Sequence, residues 1–483
     1  MHNYKFVFSA LFITGLLLGT TSCEDFVYKY PRDSMASEQA LADIEGVEAT
    51  IYGMYNRLQY PLYNLRDMNL AGCIMSDNMD VAQTNTGRFV NHTVNREGYG
   101  YDIWNRLYND INRSNSVLYY IREVEASQQR INWAKGQAYA LRAYNYFDLL
   151  KIYARPYLHQ NPYVEGQPLG VIYKTEPFLG VDEKTFQARG TINEGYNLVL
   201  EDLTMAEELL ENDGYPLFFT KVAVKALLAR LHLFMGNWQE AIDYATDVID
   251  EAPNGLAEAE NYIDVFANAP GAESILELAY SETDRPAQAQ SVSGLAYYDP
   301  VGGGPYFGDI ILRQDLINLL EDYRNMDDVR PEMTFNETKA GQNVVYQKKF
   351  ASYRGVHWWD NTKLIRMAEM YLISAEGFAE LEEFDNARDM LNELRAHRGS
   401  GDVIVDDNKE DFINLILNER RVEFFSEMSH RWFDLRRRGM DISKGVEGID
   451  QGSPLVFEDY RVVERIPTSE ISSNENMIQN PGY

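Results

Sequence analysis

Two segments, KALLARLHLFMGNWQEAIDYATDVI at Lys225–Ile249 and MYLISAEGFAELEEFDNARDMLNEL at Met370–Leu394, decide the fold class of this chain. In each segment an alanine-rich helix leads to a short turn, an aromatic residue (Trp238 or Phe384) and a second helix. Small residues let two helices approach closely, and large rings fill the space beside them. This is the pattern of a tetratricopeptide unit, and it predicts two pairs of antiparallel helices.

The same helical spacing of alanine and apolar residues recurs along most of the chain. The units are scattered and not in strict tandem, so we expect one helical scaffold with long insertions. The predicted fold class is therefore mostly α, a tetratricopeptide-like scaffold of helical pairs with a large irregular, loop-rich ligand-binding region. The predicted helices are Ile103–Val124, Trp133–Tyr153, Ile192–Leu210, Val222–Phe234, Trp238–Ile249, Leu364–Leu381 and Asp385–Arg395.

The chain divides by composition into four segments. Residues 1–22 are predicted to be a signal peptide, 23–250 an N-terminal helical scaffold, and 362–483 a C-terminal helical segment that closes the scaffold. Residues 251–361 lose the helical periodicity and contain the glycine run Gly302–Gly304. No Lys-Ser/Thr follows that run, so a phosphate-binding loop is not predicted. Loops this long inside a compact protein are usually functional or disordered.

The first residues have the features of an export signal. Lys5 precedes an apolar run, Phe6–Leu18, of about 13 residues, which is shorter than the roughly 20 that a membrane-spanning helix needs. Small residues then lead to Cys23, which sits where a bacterial lipoprotein is cleaved and acylated, although Thr20 replaces the usual aliphatic residue. Cys23 is the predicted lipidation site, and acyl chains would attach this acidic protein to a membrane.

Composition excludes several classes of protein. The chain has 45% apolar and 24% charged residues, which is typical of a soluble globular body. Its 74 acidic residues outnumber 44 basic ones, giving a formal net charge of −30, so nucleic acid is not expected as a partner. Two cysteines exclude a disulfide-rich fold and a zinc site with four cysteine ligands.

Motifs for catalysis or cofactor binding are missing from the sequence. The seven histidines form no HExxH or similar zinc spacing, and there is neither a G-x-S-x-G motif nor a complete EF-hand loop. A glycoside hydrolase would need two carboxylates at a fixed separation, which 74 acidic residues could supply by chance. We therefore expect a protein that is not an enzyme and that has no cofactor or metal.

Aromatic residues in the loop-rich region are the best candidates for ligand contact. Rings on loops cannot all anchor the core, and an aromatic face stacks on the C–H face of a sugar. Sugar hydroxyls need amide, carboxylate or guanidinium partners, which an earlier polar loop can supply. The predicted ligand-binding residues are Trp358, Trp359, Tyr297, Tyr298 and Tyr306, with Phe307 beside them, and Asn78, Asp80 and Arg88, with Asn91 nearby.

A basic segment near the C-terminus, Leu415–Gly439, combines arginine and glutamate at helical spacing. In a protein this acidic, such a segment is interpreted as forming ion pairs inside the fold. We do not interpret it as a surface for nucleic acid.

Several pieces of sequence resemble the SusD/RagB family of outer-membrane lipoproteins from Bacteroidetes. They occur in order over essentially the whole mature chain, and together they are much more specific than each is alone. The pieces are Ser22–Phe26 with Pro31, Arg142–Leu150 (RAYNYFDLL), Arg366–Glu376 (RMAEMYLISAE), Asn418–Phe425 (NERRVEFF) with Arg431–Arg436 (RWFDLR), and Ile466-Pro467 through Gln479–Tyr483 (QNPGY).

The resemblance implies a cell-surface binding protein with tetratricopeptide-like helices and an irregular ligand-binding half. It implies a lipid anchor in the outer membrane, with the protein facing the cell exterior. It also implies a partner, a TonB-dependent transporter of the SusC type, to which the protein delivers captured oligosaccharide. Family members that bind peptides exist, and the binding residues of the family cannot be matched one by one onto this chain.

The resulting hypothesis is non-catalytic capture of an oligosaccharide or polysaccharide. The alternatives are capture of a peptide by the same kind of protein, a surface glycoside hydrolase, and an interaction protein whose helices only hold a partner. The sequence leaves open which glycan or linkage is bound.

Overall fold

The computed structural model describes residues 37–160, 169–180, 186–212, 216–283, 285–298, 306–353, 355–444 and 454–483. The predicted signal peptide, residues 1–22, and the predicted lipidation site, Cys23, lie outside the described residues. The glycine run Gly302–Gly304 lies outside them as well.

The described part of the chain is dominated by α-helices that alternate with short connections. No helix within it is both long enough and apolar enough to cross a membrane. In chain order the helices are α1 (Ile44–Leu58), α2 (Asp67–Met75), α3 (Val90–Thr93), α4 (Trp104–Tyr120), α5 (Gln128–Tyr153), α6 (Ile192–Leu209), α7 (Lys221–Met235), α8 (Trp238–Glu251), α9 (Asp264–Ala267), α10 (Val292–Ala296), α11 (Gln314–Arg324), α12 (Met367–Glu380), α13 (Phe384–Ala396), α14 (Lys409–Glu423), α15 (His430–Arg437) and α16 (Thr468–Ser473).

The long helices form a continuous stack. Helix α4 packs on α5, α5 on α6, α6 on α7, and α7 on α8. Helix α8 then packs on α12, which comes more than 100 residues later, and α12 packs on both α13 and α14. Neighbours in the stack thus bury their apolar faces on each other. The predicted mostly α, tetratricopeptide-like scaffold is confirmed.

The pair α7–α8 shows how the sequence produces this stack. The Thr220 hydroxyl accepts the amide of Ala223 at 3.2 Å and begins α7. Gly236 ends it with a φ of +74°, a left-handed conformation that glycine adopts without strain. A side chain at Gly377 of α12 would place its Cβ 2.6 Å from Ile242 Cγ1 of α8, so glycine permits this close approach.

Six short strands form three two-stranded antiparallel sheets in the described residues. The strands are β1 (Met79–Val81), β2 (Ser274–Leu278), β3 (Ile310–Leu312), β4 (Thr334–Lys339), β5 (Gln342–Gln347) and β6 (Thr362–Arg366). Strand β1 pairs with β3, β2 with β6, and β4 with β5. Strands β2 to β5 and helices α9 to α11 lie within the segment 251–361 that was expected to be irregular.

The predicted helix Leu364–Leu381 is wrong at its start. Leu364 and Ile365 belong to β6, and helix α12 begins only at Met367. A short run of buried apolar residues looks the same in a strand and in a helix. The pairing with β2, about 90 residues earlier, decides between them here.

Residues of the basic segment 415–439 belong to two helices, α14 and α15. Its arginines bind carboxylates inside the fold: Arg420 Nε lies 2.8 Å from Asp434 Oδ2, and Arg437 Nη2 lies 2.6 Å from Glu376 Oε2. The interpretation of this segment as internal ion pairs is therefore confirmed.

One group of charges at the centre of the C-terminal half is fully enclosed. This buried ion cluster consists of Arg330, Arg366, Arg398, Glu273 and Glu423, each at most 2% exposed. Glu423 Oε1 lies 2.9 Å from Arg366 Nη1 and 3.1 Å from Arg398 Nη2, and its Oε2 lies 3.3 Å from Arg330 Nη1. Burial alone would raise the pKa of Glu423, but the three arginines outweigh it and hold the pKa well below its ordinary value.

Candidate ligand-binding site

Seven rings from four separate segments meet in one continuous series of contacts, which we call the aromatic chain. Neighbouring ring centroids lie 5.0 to 6.0 Å apart, a spacing typical of interacting aromatic side chains. In order, the rings are Tyr298, Tyr346, Phe335, Tyr297, Tyr306, His357 and Trp358. Four of the sequence-predicted binding residues therefore lie together.

A β-hairpin supports the middle of the aromatic chain. Phe335 on β4 and Tyr346 on β5 are directly paired across the two strands. Their ring centroids are 5.5 Å apart, and the hydroxyl of the buried Tyr346 donates to the carbonyl of Gly308 at 3.1 Å. A cross-strand pair of this kind fixes the position of both rings. The hairpin thus forms a rigid base for rings that come from more irregular segments.

The remaining rings are partly exposed. Tyr297, Tyr298, Tyr306 and Trp358 are half-buried, and His357 is exposed. The Tyr306 hydroxyl lies 2.9 Å from Nδ1 of His357, which joins the loop before β3 to the loop before β6. The aromatic chain therefore combines a fixed base with ring surface that faces solvent.

Trp358 has an unusual backbone conformation. Its φ is +65°, in the left-handed region that bulky residues rarely adopt. The Ser352 hydroxyl accepts its amide at 2.9 Å and supports this conformation. Its buried indole Nε1 has no hydrogen-bond partner among the described residues. Strain of this kind persists only where the surroundings impose it, and it is concentrated at functional sites.

Trp359, the other predicted tryptophan, has a different environment. Its indole Nε1 donates to the carbonyl oxygen of Tyr280 at 2.6 Å, and the residue is half-buried. The Tyr280 hydroxyl in turn donates to the carbonyl of Gln59 at 3.1 Å. Trp359 thus links the loop that carries Trp358 to the segment after β2 and to the end of α1.

Two predicted polar residues are buried, and their side chains are hydrogen-bonded to distant parts of the chain. Asn78 is 1% exposed, and its Oδ1 accepts Arg421 Nε at 2.8 Å. Asp80 is 3% exposed, and its Oδ2 accepts Arg313 Nη1 at 2.8 Å. Their predicted contact with a ligand is therefore corrected to a structural role, which joins the strand β1 to later parts of the fold.

The other two polar residues of that loop remain partly exposed. The Arg88 guanidinium lies with its Cζ 4.8 Å from the centroid of the Phe307 ring, one residue from Tyr306. Asn91 accepts Arg96 Nη1 at 3.1 Å through its Oδ1. Arg88 thus lies beside the loop of the aromatic chain, whereas Asn91 is engaged by its own segment.

Sequence reasoning did not identify Phe335, Tyr346 and His357 as part of the site. Phe335 and Tyr346 lie on strands whose alternating pattern resembles an ordinary hairpin, and only their cross-strand pairing brings them under the loop rings. His357 precedes Trp358 directly, so its position beside the predicted tryptophans was the available signal.

The possible metal ligands in the described part of the chain are not clustered at the site. No group of three or more histidine, cysteine, aspartate or glutamate residues in the described part of the chain is placed to bind one. Its flat side chains are suited to reversible stacking, in which no bond is made or broken.

A cleft of ≈ 400 Å³ adjoins the tryptophan end of the aromatic chain, and it includes Tyr280 and Arg285 in its lining. Arg285 Nη1 donates to the carbonyl of His357 at 2.9 Å. A larger cleft of ≈ 530 Å³ lies between α4 and residues 173–180 with Gln187, and Tyr119 contributes to it. We place the site at the first cleft because Arg285, in its lining, contacts both His357 and Trp358 of the aromatic chain.

Two sequence models of one family match the two ends of the chain. One, described as starch-binding and associating with the outer membrane, matches residues 28–233, and the other, described as the SusD family, matches residues 336–483. This chain belongs to the SusD family. Proteins of the SusD family are carbohydrate-binding proteins associated with the outer membrane at the cell surface, and they are known as binding proteins and not as enzymes.

Individual SusD-family relatives align over nearly the whole chain. SusD-like protein P38 of Formosa agariphila is 24% identical over 93% of this chain and 94% of its own length. The crystal structure of a SusD superfamily protein from Bacteroides vulgatus superposes with a TM-score of 0.80 at 24% identity and covers 91% of this chain and 99% of its own. A laminarin-binding SusD-like protein superposes with a TM-score of 0.71 at 19% identity, and the superposition covers 90% of this chain and 99% of that protein.

Proposed function

We propose that this protein captures oligosaccharides at the cell surface, without cleaving them, and delivers them to a SusC-like TonB-dependent transporter in the outer membrane. The observation that carries the proposal is the aromatic chain, in which rings from four segments present partly exposed faces beside a cleft. The carbohydrate-binding character of the SusD family and the laminarin-binding relative support a glycan as the ligand.

Stacking on several rings suits a protein that must release its cargo. One aromatic contact contributes about 1 kcal/mol, so several together give affinities between millimolar and micromolar. Stacking tolerates different sugars because each has an apolar C–H face. Hydrogen bonds from groups such as the Tyr306 hydroxyl and the Arg88 guanidinium would then set the preference for a linkage.

Membrane attachment belongs to the same proposal. Cys23 would carry the acyl chains that hold the protein at the outer membrane, facing the exterior. A Cys23→Ala variant expressed with its signal peptide should lose incorporation of labelled palmitate and leave the membrane fraction. Membrane retention of this variant, equal to that of the unchanged protein, would contradict the lipid anchor.

The central experiment is calorimetry with a panel of glycans, followed by analysis of the recovered sugar. Heat of binding with unchanged sugar supports capture, whereas shortened sugar would indicate a glycoside hydrolase. A response to peptides with no response to any glycan would favour the peptide-binding alternative. If the protein bound the transporter but neither glycans nor peptides, the remaining alternative would be an interaction protein without a small ligand.

A variant at the tryptophan end of the aromatic chain tests the location of the site. Trp358→Ala should weaken glycan binding roughly 10-fold or more, because it removes a stacking face and the ring that Arg285 covers. The added replacement of Trp359 by Ala should abolish binding, since Trp359 positions the loop.

Tyr119→Ala is the matched control, because Tyr119 is 42% exposed and lies in the other cleft. It should leave affinity unchanged. Loss of binding in the Tyr119 variant together with full affinity in the Trp358 variant would move the site to the larger cleft. Circular dichroism would check that each variant is folded.

A further inference from the structure

The cleft beside the tryptophan end of the aromatic chain has an unusual charge for this protein, and we call it the arginine pocket. It lies between the end of α1, helix α4 and the segment after β2, and it contains Arg57, Arg106 and Arg285. None of the described residues that line it is acidic, although the whole chain carries 74 acidic and 44 basic residues. Its remaining polar lining consists of amide and hydroxyl groups such as those of Gln59 and Tyr60.

Of these three arginines, Arg57 alone has a carboxylate partner among the described residues. Arg57 Nε donates to the buried carboxylate of Asp110, so that charge is compensated. Among the described residues no carboxylate lies within ion-pair distance of Arg106 or Arg285. Within the described part of the chain, the three guanidinium groups of the arginine pocket therefore outnumber the carboxylate of Asp110 that compensates them.

Arg106 is held in place without an ion pair. Its Cζ lies 3.5 Å from the centroid of the Tyr60 ring, and its Nη1 lies 3.4 Å from the carbonyl oxygen of Arg57. Burial and repulsion from Arg57 lower the pKa of the Arg106 guanidinium, and they outweigh Asp110 and Tyr60, which raise it. An anion bound beside Arg106 would favour its charged form and so offset the effects of burial and of repulsion.

Arg285 connects the arginine pocket to the aromatic chain. It is exposed, its Nη1 donates to the carbonyl of His357, and its Cζ lies 5.8 Å from the centroid of the Trp358 ring. A saccharide ring stacked near Trp358 would therefore have its substituents within reach of this guanidinium. Guanidinium groups bind carboxylates and sulfates through two parallel hydrogen bonds, which neutral sugars cannot offer in the same way.

We propose that the arginine pocket receives the negatively charged group, a carboxylate or a sulfate ester, of an acidic saccharide whose neighbouring rings stack on the aromatic chain. The proposal rests on the glycan-binding function above and adds the charge class of the ligand. The protein has a formal net charge of −30, which repels a negatively charged saccharide. Binding of such a ligand therefore requires a local site of positive charge.

The test is calorimetry of the full-length protein with matched pairs of saccharides. One pair is oligogalacturonate and its methyl-esterified form, and the other is a sulfated galactan oligosaccharide and its desulfated form. We expect the charged member of at least one pair to bind about 10- to 100-fold more tightly, since hydrogen bonds to ionised groups are the strong ones. The pair that responds identifies the carboxylate or the sulfate as the group recognised.

The double variant Arg106→Gln, Arg285→Gln should remove this discrimination, so that the charged and neutral members of the responding pair bind with affinities within about threefold of each other. The control is Arg113→Gln, which changes an exposed arginine two helical turns further along α4 and should keep the full preference. Equal affinity for charged and neutral members in the unchanged protein would overturn the charge proposal while the capture function stands. An undiminished preference in the double variant would also overturn it.

Failure of the underlying function gives a different result. In that case neither member of either pair binds, and a wider panel of neutral glycans gives no heat. A preference that persists unchanged from 0.05 to 0.5 M salt would also contradict ion pairing in this partly exposed pocket.

Discussion

Two groups of arginines in this protein have opposite roles, and their carboxylate partners explain the difference. In the buried ion cluster, Arg330, Arg366 and Arg398 surround Glu423 and are at most 2% exposed. In the arginine pocket, Arg106 and Arg285 contact rings and carbonyl groups, and among the described residues no carboxylate pairs with them. An arginine with a structural role therefore cannot be distinguished from one with a binding role by residue type. The presence of a carboxylate partner inside the fold distinguishes them.

The comparison also shows how each region tolerates its charge. A charge taken out of water destabilises a protein unless a partner and hydrogen bonds compensate for it. The buried ion cluster satisfies this requirement with its own carboxylates. In the arginine pocket, water hydrates the guanidinium groups until a ligand binds. The open pocket therefore does not destabilise the fold.

The largest expected effect concerns the centre of the buried ion cluster. Glu423→Gln removes the carboxylate that three arginines share, and breaking a buried pair in this way costs about 3–5 kcal/mol in the free energy of unfolding. Urea denaturation followed by circular dichroism measures this. Glu201→Gln, an exposed position on α6, is the matched control and should change the free energy by less than about 0.5 kcal/mol. Equal stability of the two variants would remove the structural role assigned to the cluster.

The next effect is the response of paired carboxylates to acid. Burial alone would raise the pKa of Asp434, but Arg420 and Arg437 outweigh it and lower the pKa to about 2. A carboxyl whose folded-state pKa is depressed stabilises the fold above its unfolded value of about 4, and this contribution disappears as the pH falls toward 2. The contribution from Asp434 is about 2 kcal/mol.

This prediction is checked by comparing the unchanged protein with Asp434→Asn by urea denaturation at several pH values. The difference in unfolding free energy between them should be constant from pH 7 to 5 and should shrink between pH 4 and 2. If this difference grew as the pH fell, the predicted direction of the Asp434 contribution to stability would be wrong. The variant also serves as its own control, because the many surface carboxylates titrate equally in both proteins.

The smallest expected effect concerns stability at the arginine pocket. The double variant Arg106→Gln, Arg285→Gln breaks no ion pair that the described residues contain, so its free energy of unfolding should change by less than about 1 kcal/mol. The same type of substitution in the buried ion cluster, Arg398→Gln, should cost several kcal/mol. Both variants are measured by urea denaturation. A similar loss of unfolding free energy in the two would contradict the distinction between the two groups of arginines.

Local patterns in the sequence were sufficient for the helical pair α7–α8, although they did not identify the equally long helix α1. The helix predicted as Val222–Phe234 differs from α7 (Lys221–Met235) by one residue at each end, and Trp238 begins α8 as expected. These boundaries depend on nearby residues, Thr220 at the start and Gly236 at the turn, so short-range information determines them. The strand β6 was missed because its partner β2 lies far away in the sequence.

The site was only partly predictable for the same reason. The loop rings Tyr297, Tyr306 and Trp358 stand out because apolar rings in irregular segments lack a local explanation. Asn78 and Asp80 looked like binding groups because their partners, Arg421 and Arg313, lie 343 and 233 residues away. A polar loop that is exposed in isolation becomes buried once distant elements cover it.

The sequence by itself determined the helical pairs, the internal pairing of the basic C-terminal segment and the SusD family, because these follow from residue spacing and from pieces of sequence that occur in order. Only the tertiary structure decided which rings share one surface, which arginines already have carboxylate partners and which polar side chains are buried. Those properties depend on contacts between segments that are remote in the chain, and the same residue type can serve either role until such contacts are made.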